Sequence, residues 1–101
     1  MPELELERGA DGEYVVLARG EIDLANAGRL RELFDEAIDA GATRVVVDCR
    51  ELEFLDSSGI GVLVAARKRL GPDGELVLDS PPAHVRKVIE ITGVIDQISV
   101  V

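Results

Sequence analysis

Aromatic side chains are nearly missing from this 101-residue chain: two phenylalanines, one tyrosine and no tryptophan make 3%. Any core must therefore be built from Val, Leu, Ile and Ala, and a hydrophobic content of 47% supplies the material. Cysteine occurs once, at Cys49, which excludes an internal disulfide. Cys49 has no companion at metal-ligand spacing and reads as a buried, inert thiol. Histidine also occurs once, and His84 sits between residues that read as surface, close to Arg86 and Lys87. Positive charge is scarce, with 11 Lys and Arg against 20 Asp and Glu and a net charge of -9. Such a chain repels phosphate backbones and anionic membrane surfaces, which argues against nucleic-acid and membrane binding. A partner with a basic face fits better, although acidity also serves plain solubility. No apolar run approaches the roughly 20 residues needed to span a bilayer. The opening MPELELERGADGE lacks the basic region and apolar run of a signal peptide. The expectation is a soluble cytoplasmic protein, one domain over residues 1–101.

Periodicity divides the chain into alternating elements. Leu4 and Leu6 alternate with glutamates, the period of a half-exposed edge strand. Asp11-Gly12 signals a hairpin, and Tyr14 to Ala18 reads as a second strand, antiparallel to the first, which Gly20-Glu21-Ile22-Asp23 leaves. From about Leu24 to Ala40 the period becomes helical: Leu30, Leu33, Phe34, Ala37 and Ile38 share one face. Burying each large member of that face stabilises by about 1.5–3 kcal/mol. Asp23 or Asn26 can cap the start, and Gly41 suits the end. Arg44 to Cys49 is apolar without alternation, as in a central strand covered on both faces, and Leu52 to Leu55 reads as a connection. A second helix is predicted from Ser58 to Leu70, with Arg67, Lys68 and Arg69 near its negative end. After a turn at Gly71-Pro72-Asp73-Gly74, Leu76 to Leu78 reads as a strand. Ser80-Pro81-Pro82 reads as a helix start with a serine cap, followed by an inner stripe of Val85, Val88, Ile89 and Thr92. Gly93 ends that helix, and Ile98 to Val101 reads as a short last strand. The fold class is α/β in the order β-β-α-β-α-β-α-β, one mixed sheet of about 4–5 strands with helices packed on it by right-handed crossovers.

One segment carries more polar groups than a helix start needs. In Leu52 to Leu70, LEFLDSSGIGVLVAARKRL, an apolar and acidic stretch meets Asp56-Ser57-Ser58-Gly59 and runs into the second helix. Capping by one serine or aspartate is the ordinary reading. The sharper reading is a phosphorylatable hydroxyl, because a phosphate at a helix start meets free amides and the positive dipole end. It would add about -1.5 to -2 of charge beside Asp56 and Glu53, altering a surface without refolding the chain. Nucleophilic catalysis is a poor rival, since neither a G-x-S-x-G elbow nor a base accompanies Ser57 or Ser58. Gly59-Ile60-Gly61 begins like a dinucleotide fingerprint, but Val64 breaks it.

Three segments together resemble a known family. Gly20-Glu21-Ile22-Asp23, Phe54-Leu55-Asp56-Ser57-Ser58-Gly59-Ile60-Gly61 and Ile91-Thr92-Gly93-Val94 are similar, in order and spacing, to the STAS-domain anti-sigma-factor antagonists. The serine segment is the most specific part. The resemblance implies a STAS-like fold and a binding module that is not an enzyme and holds no cofactor. It implies that the unphosphorylated form binds an anti-sigma factor, itself a serine kinase of the histidine-kinase-like ATPase type, and so releases a sigma factor. By the same resemblance the kinase phosphorylates Ser57, directly after the motif aspartate, the complex dissociates, and a metal-dependent serine phosphatase restores the protein. Asp23 matches a family aspartate near the phosphosite, and Asp56, Ser58, Gly59 and Ile60 join Ser57 in the partner-binding segment. The alternative within the family is a non-switching STAS scaffold, such as a subunit of a lipid transporter or of a stress-signalling complex.

Overall fold

The computed structural model describes residues 3–93 and 97–101. Five strands form one sheet in the order β1-β2-β3-β4-β5. They are β1 (Leu4–Arg8), β2 (Glu13–Ile22), β3 (Arg44–Leu55), β4 (Glu75–Asp79) and β5 (Ser99–Val100), interleaved with α1 (Ala27–Asp39), α2 (Ser57–Leu70) and α3 (Ala83–Thr92). β1 pairs antiparallel with β2, and each later pairing is parallel. The hairpin tip is anchored at Gly12, whose φ is 74°. Its carbonyl accepts from Thr43 N at 2.8 Å and Arg44 N at 3.1 Å, and a Cβ there would lie 2.5 Å from Thr43 Oγ1.

All three crossovers step the same way along the sheet, so right-handed connections put all three helices on one face. That face holds the core, where Leu30, Leu33 and Phe34 of α1, Leu63 of α2 and Val85 and Ile89 of α3 meet Val16, Val45, Val47, Leu76 and Leu78 of the strands. Arg69 ties the two larger helices together, donating to Asp35 at 2.5 Å and Asp39 at 2.9 Å. The other face corrects the expectation that β3 is covered on both sides. β3 alternates, with Val45, Val47 and Cys49 buried and Arg44, Val46 and Asp48 between them only partly so. Val15, Val46 and Val77 lie side by side in register there. An ionic ladder of Glu13, Arg44 and Glu75 runs beside them, with N–O distances of 3.0 and 2.6 Å. Valine on both faces hid the alternation from the sequence.

Several element boundaries also differ from expectation. Leu52 to Leu55 is strand, not connection, and β2 runs on to Ile22. The pairing of β2 with β3 shifts register between Leu17 and Arg19 and again between Gly20 and Glu21, then continues to Ile22 opposite Leu55. These irregularities expose Arg50 and Glu51 in succession, which breaks the period of two. α1 starts at Ala27, because Asp23 to Asn26 form a turn. Ser80 does not cap α3: Pro82 holds the cap position without a side-chain bond, and Ser80 has φ 56°. In α3, Val85 and Ile89 point inward, but Val88 is 37% exposed. The side chain of Thr92 and all of Val94 lie outside the described residues.

Candidate functional site

β2 and β3 are parallel, so the segments that leave them emerge at one end of the sheet. β2 delivers Asp23 and β3 delivers Asp56. The two exits are joined by a backbone hydrogen bond from Asp56 N to Ile22 O at 3.1 Å. This brings Asp23 into the neighbourhood of the serine segment although α1 and β3 separate the two in the chain.

Asp56 caps α2. Its backbone is extended, with φ -91° and ψ -173°. Its Oδ1 accepts from Ser58 N at 2.8 Å and Gly59 N at 3.3 Å, while its carbonyl accepts the first helical bond, from Ile60 N, at 3.1 Å. The cap is therefore the aspartate, and both hydroxyls are surplus to it. Ser57 is the first residue of α2, its side chain exposed. Among the described residues no hydrogen bond engages its hydroxyl. Ser58 is half-buried. Two of the early amides that a phosphate on Ser57 could meet, those of Ser58 and Gly59, already donate to Asp56. A phosphate there would stay at the surface, close to a carboxylate and a helix dipole.

Gly59 and Ile60 are buried, Ile60 to 8% exposure, so neither presents a side chain to a partner. Gly59 sets the approach of α2 to the strand ends. A Cβ at this position would overlap Leu55 Cδ1 and lie 3.1 Å from Ile22 Cγ2. Glycine lets the serine-bearing turn sit directly on the ends of β2 and β3 without displacing the Leu55 side chain.

The Asp23 turn is bonded along its length. Asp23 Oδ1 accepts from Ala25 N at 2.9 Å, and Asn26 Oδ1 accepts from Asp23 N at 2.9 Å. Asn26 Nδ2 donates to Glu21 O at 2.8 Å and Glu3 Oε2 at 3.1 Å. Asn26 thus occupies the α1 cap position but turns its side chain back to the strand ends and makes no cap bond. Three neighbours of this region are not among the expected site residues: Leu24, Phe54 and His84. Leu24 is 82% exposed. Phe54 is 44% exposed and stacks on His84 of α3, with ring centroids 5.8 Å apart and planes at 17°. The available signal was an apolar residue set among acidic ones at each strand exit, Leu24 just past Asp23 and Phe54 just ahead of Asp56. Cys49 lies inside the sheet, its thiol pushed up to about 12 by burial and by the charges of Asp48 and Asp79, in keeping with an inert packing role.

Known proteins share this architecture. BtrV of Bordetella bronchiseptica is 37% identical over 84 residues, 82% of this chain and 72% of BtrV. The anti-sigma-F factor antagonist RsfB of Mycobacterium tuberculosis is 30% identical over 83 residues, 82% of this chain and 68% of RsfB. The anti-sigma factor antagonist SpoIIAA superimposes in its unphosphorylated form with a TM-score of 0.80 at 26% identity, covering 97% of this chain and 86% of that one. The Bacillus protein in its phosphorylated form gives 0.79 at 27% identity, covering 97% and 90%. Residues 6–100 match the family of Mlab STAS domains, and with this fold, this serine segment and these relatives the chain belongs to the STAS domain family.

Proposed function

We propose that this protein is an anti-sigma-factor antagonist switched by phosphorylation of Ser57. In its unmodified form it binds an anti-sigma factor that is also an ATP-dependent serine kinase, and so frees a sigma factor. Ser57, Asp23, Asp56 and Ser58 form the docking face, and buried Gly59 and Ile60 hold its shape. The kinase transfers the γ-phosphoryl of ATP to Ser57 Oγ: the bond to the β,γ-bridging oxygen breaks, ADP leaves, and the Ser57 proton passes to a base on the kinase. The added charge of about -1.5 to -2 lies next to Asp56 and makes the face unacceptable to a partner that fits an acidic but uncrowded surface. A metal-dependent serine phosphatase reverses the step. The protein itself is a substrate and a binding module; ATP and metal belong to its partners.

The single observation that carries this reading is the exposed Ser57 hydroxyl, left without a hydrogen bond among the described residues by an aspartate that has already capped the helix. The test is incubation of the purified protein with each histidine-kinase-like ATPase from the same genome and labelled ATP, then phosphopeptide mapping. One kinase is expected to label Ser57 and to release the protein on doing so. Label on Ser58, or a kinase that holds both forms equally, overturns the assignment.

A further inference from the structure

The β2–α1 turn holds a leucine out to water, and the turn is built to keep it there. Leu24 is 82% exposed. A lone exposed leucine is ordinary on a protein surface. This one is bracketed on both sides by hydrogen bonds: Asp23 Oδ1 takes the Ala25 amide at 2.9 Å, and Asn26 Oδ1 takes the Asp23 amide at 2.9 Å. The Asn26 amide then fixes the turn to Glu21 O at 2.8 Å and Glu3 Oε2 at 3.1 Å. Ordering a turn costs conformational entropy, and aiming a leucine at solvent gains nothing inside the fold. Pre-organising an anchor for a partner does gain, because the ordering cost is then met before binding.

The turn also lies where the partner of the serine segment must sit. Ile22 O accepts from Asp56 N at 3.1 Å. Leu24 is two residues beyond the first and Ser57 one residue beyond the second. At about 3.8 Å per residue plus one strand spacing, their Cα atoms are within roughly 17 Å. Glu21, Asp23 and Glu53 are exposed around this end of the sheet and Asp56 is half-buried there.

We propose that Leu24 is the apolar anchor of the docking face and that Asn26 is the positioning residue that holds it, the occupant being an anti-sigma-factor kinase with an apolar socket rimmed by basic side chains. The inference rests on the function proposed above. Complementary charge selects the rim, and the exposed leucine selects the socket. Because the Leu24 side chain carries no group that takes part in phosphoryl transfer, it contributes to binding substrate and transition state alike, so its loss raises KM and leaves kcat in place.

The test is steady-state phosphorylation of Ser57 by the kinase that labels it, with thermal unfolding of each variant as a folding control. Leu24→Ser is expected to raise KM about tenfold with kcat within about twofold, the behaviour of an interface hot spot. Asn26→Ala is expected to raise KM about three- to tenfold, but by less than about twofold when added to Leu24→Ser, since its effect passes through Leu24. If Asn26→Ala does not fold, Ala25→Gly loosens the same turn and is expected to show the same non-additivity. An unchanged KM for Leu24→Ser, with Ser57 still phosphorylated, overturns the anchor and spares the switch. Fully additive effects overturn the positioning role of Asn26. Failure of any kinase to label the unaltered protein overturns the switch itself, and this inference with it.

Discussion

Asp56-Ser57 and Asp79-Ser80 are the same dipeptide, each at the end of a parallel strand and ahead of a helix, and they have opposite fates. At the first, the carboxylate is satisfied by the amides two and three residues on, those of Ser58 and Gly59. The helix starts at once, and the serine hydroxyl is left to solvent. At the second, the residues two and three on are Pro81 and Pro82, which have no N–H to give. The Asp79 carboxylate takes the Ser80 hydroxyl instead, at 2.8 Å. Ser80 is driven to φ 56°, and α3 begins only at Ala83, without a side-chain cap. The two residues after the dipeptide decide whether the serine is available. A switchable hydroxyl at a helix start needs a neighbour that makes the cap in its place.

The largest effect expected from this contrast is on partner binding. Ser57→Asp should weaken binding to the anti-sigma factor by on the order of a hundredfold, since a like-charge contact at an interface costs several kcal/mol. Ser80→Asp should change it less than about twofold. Calorimetric titration of both variants checks the pair, and equal losses would show that charge anywhere at this end of the sheet is enough. Next in size is the close approach that seats the serine turn. Gly59→Ala forces a methyl into Leu55 and Ile22 and should cost about 1–3 kcal/mol. Gly61→Ala, two residues along the same helix with nothing within 4 Å of the added carbon, should instead gain up to about 1 kcal/mol from helix propensity. Urea unfolding of the two variants should move the midpoint in opposite directions.

The helix-facing half of the molecule was legible in the sequence because its signals are local. Leu30, Leu33 and Phe34 announce the buried face of α1 by spacing alone, and the structure buries all three to 1% exposure. The Asp-Ser-Ser-Gly junction and the edge position of β1 were legible for the same reason. What failed was non-local. The strand character of Leu52 to Leu55 depends on a shifted register with β2, which no window around those residues contains. Asn26 looked like a cap, but its amide reaches Glu3, 23 residues away, and the strand end at Glu21. Ser80 looked like a cap because serine before proline is a common helix start, and the rule fails when a second proline removes the next donor. Which of the two hydroxyls at Ser57 and Ser58 faces solvent also escaped the pattern. It depends on the cap geometry of Asp56, a property of the backbone.

A smaller effect separates the two aspartates. Asp56→Ala removes the oxygen that accepts from two early amides of α2 and should cost about 0.5–2 kcal/mol. Asp79→Ala removes no cap and should stay within about 0.5 kcal/mol. The smallest effect is a reversal of sign at the serines. Ser80 holds a left-handed backbone, φ 56°, that glycine adopts without the Cβ penalty. Its hydroxyl bond to Asp79 is exposed and contributes little. Ser80→Gly should therefore raise stability by up to about 1 kcal/mol. Ser57→Gly sits in a helix, where glycine is the poorer residue, and should lower stability by a few tenths to about 0.5 kcal/mol. Thermal unfolding of the two glycine variants side by side reads the difference. A loss of stability at both positions would mean that the Asp79–Ser80 bond outweighs the strain, and that the second junction is held by its side chains as firmly as the first is held by its cap.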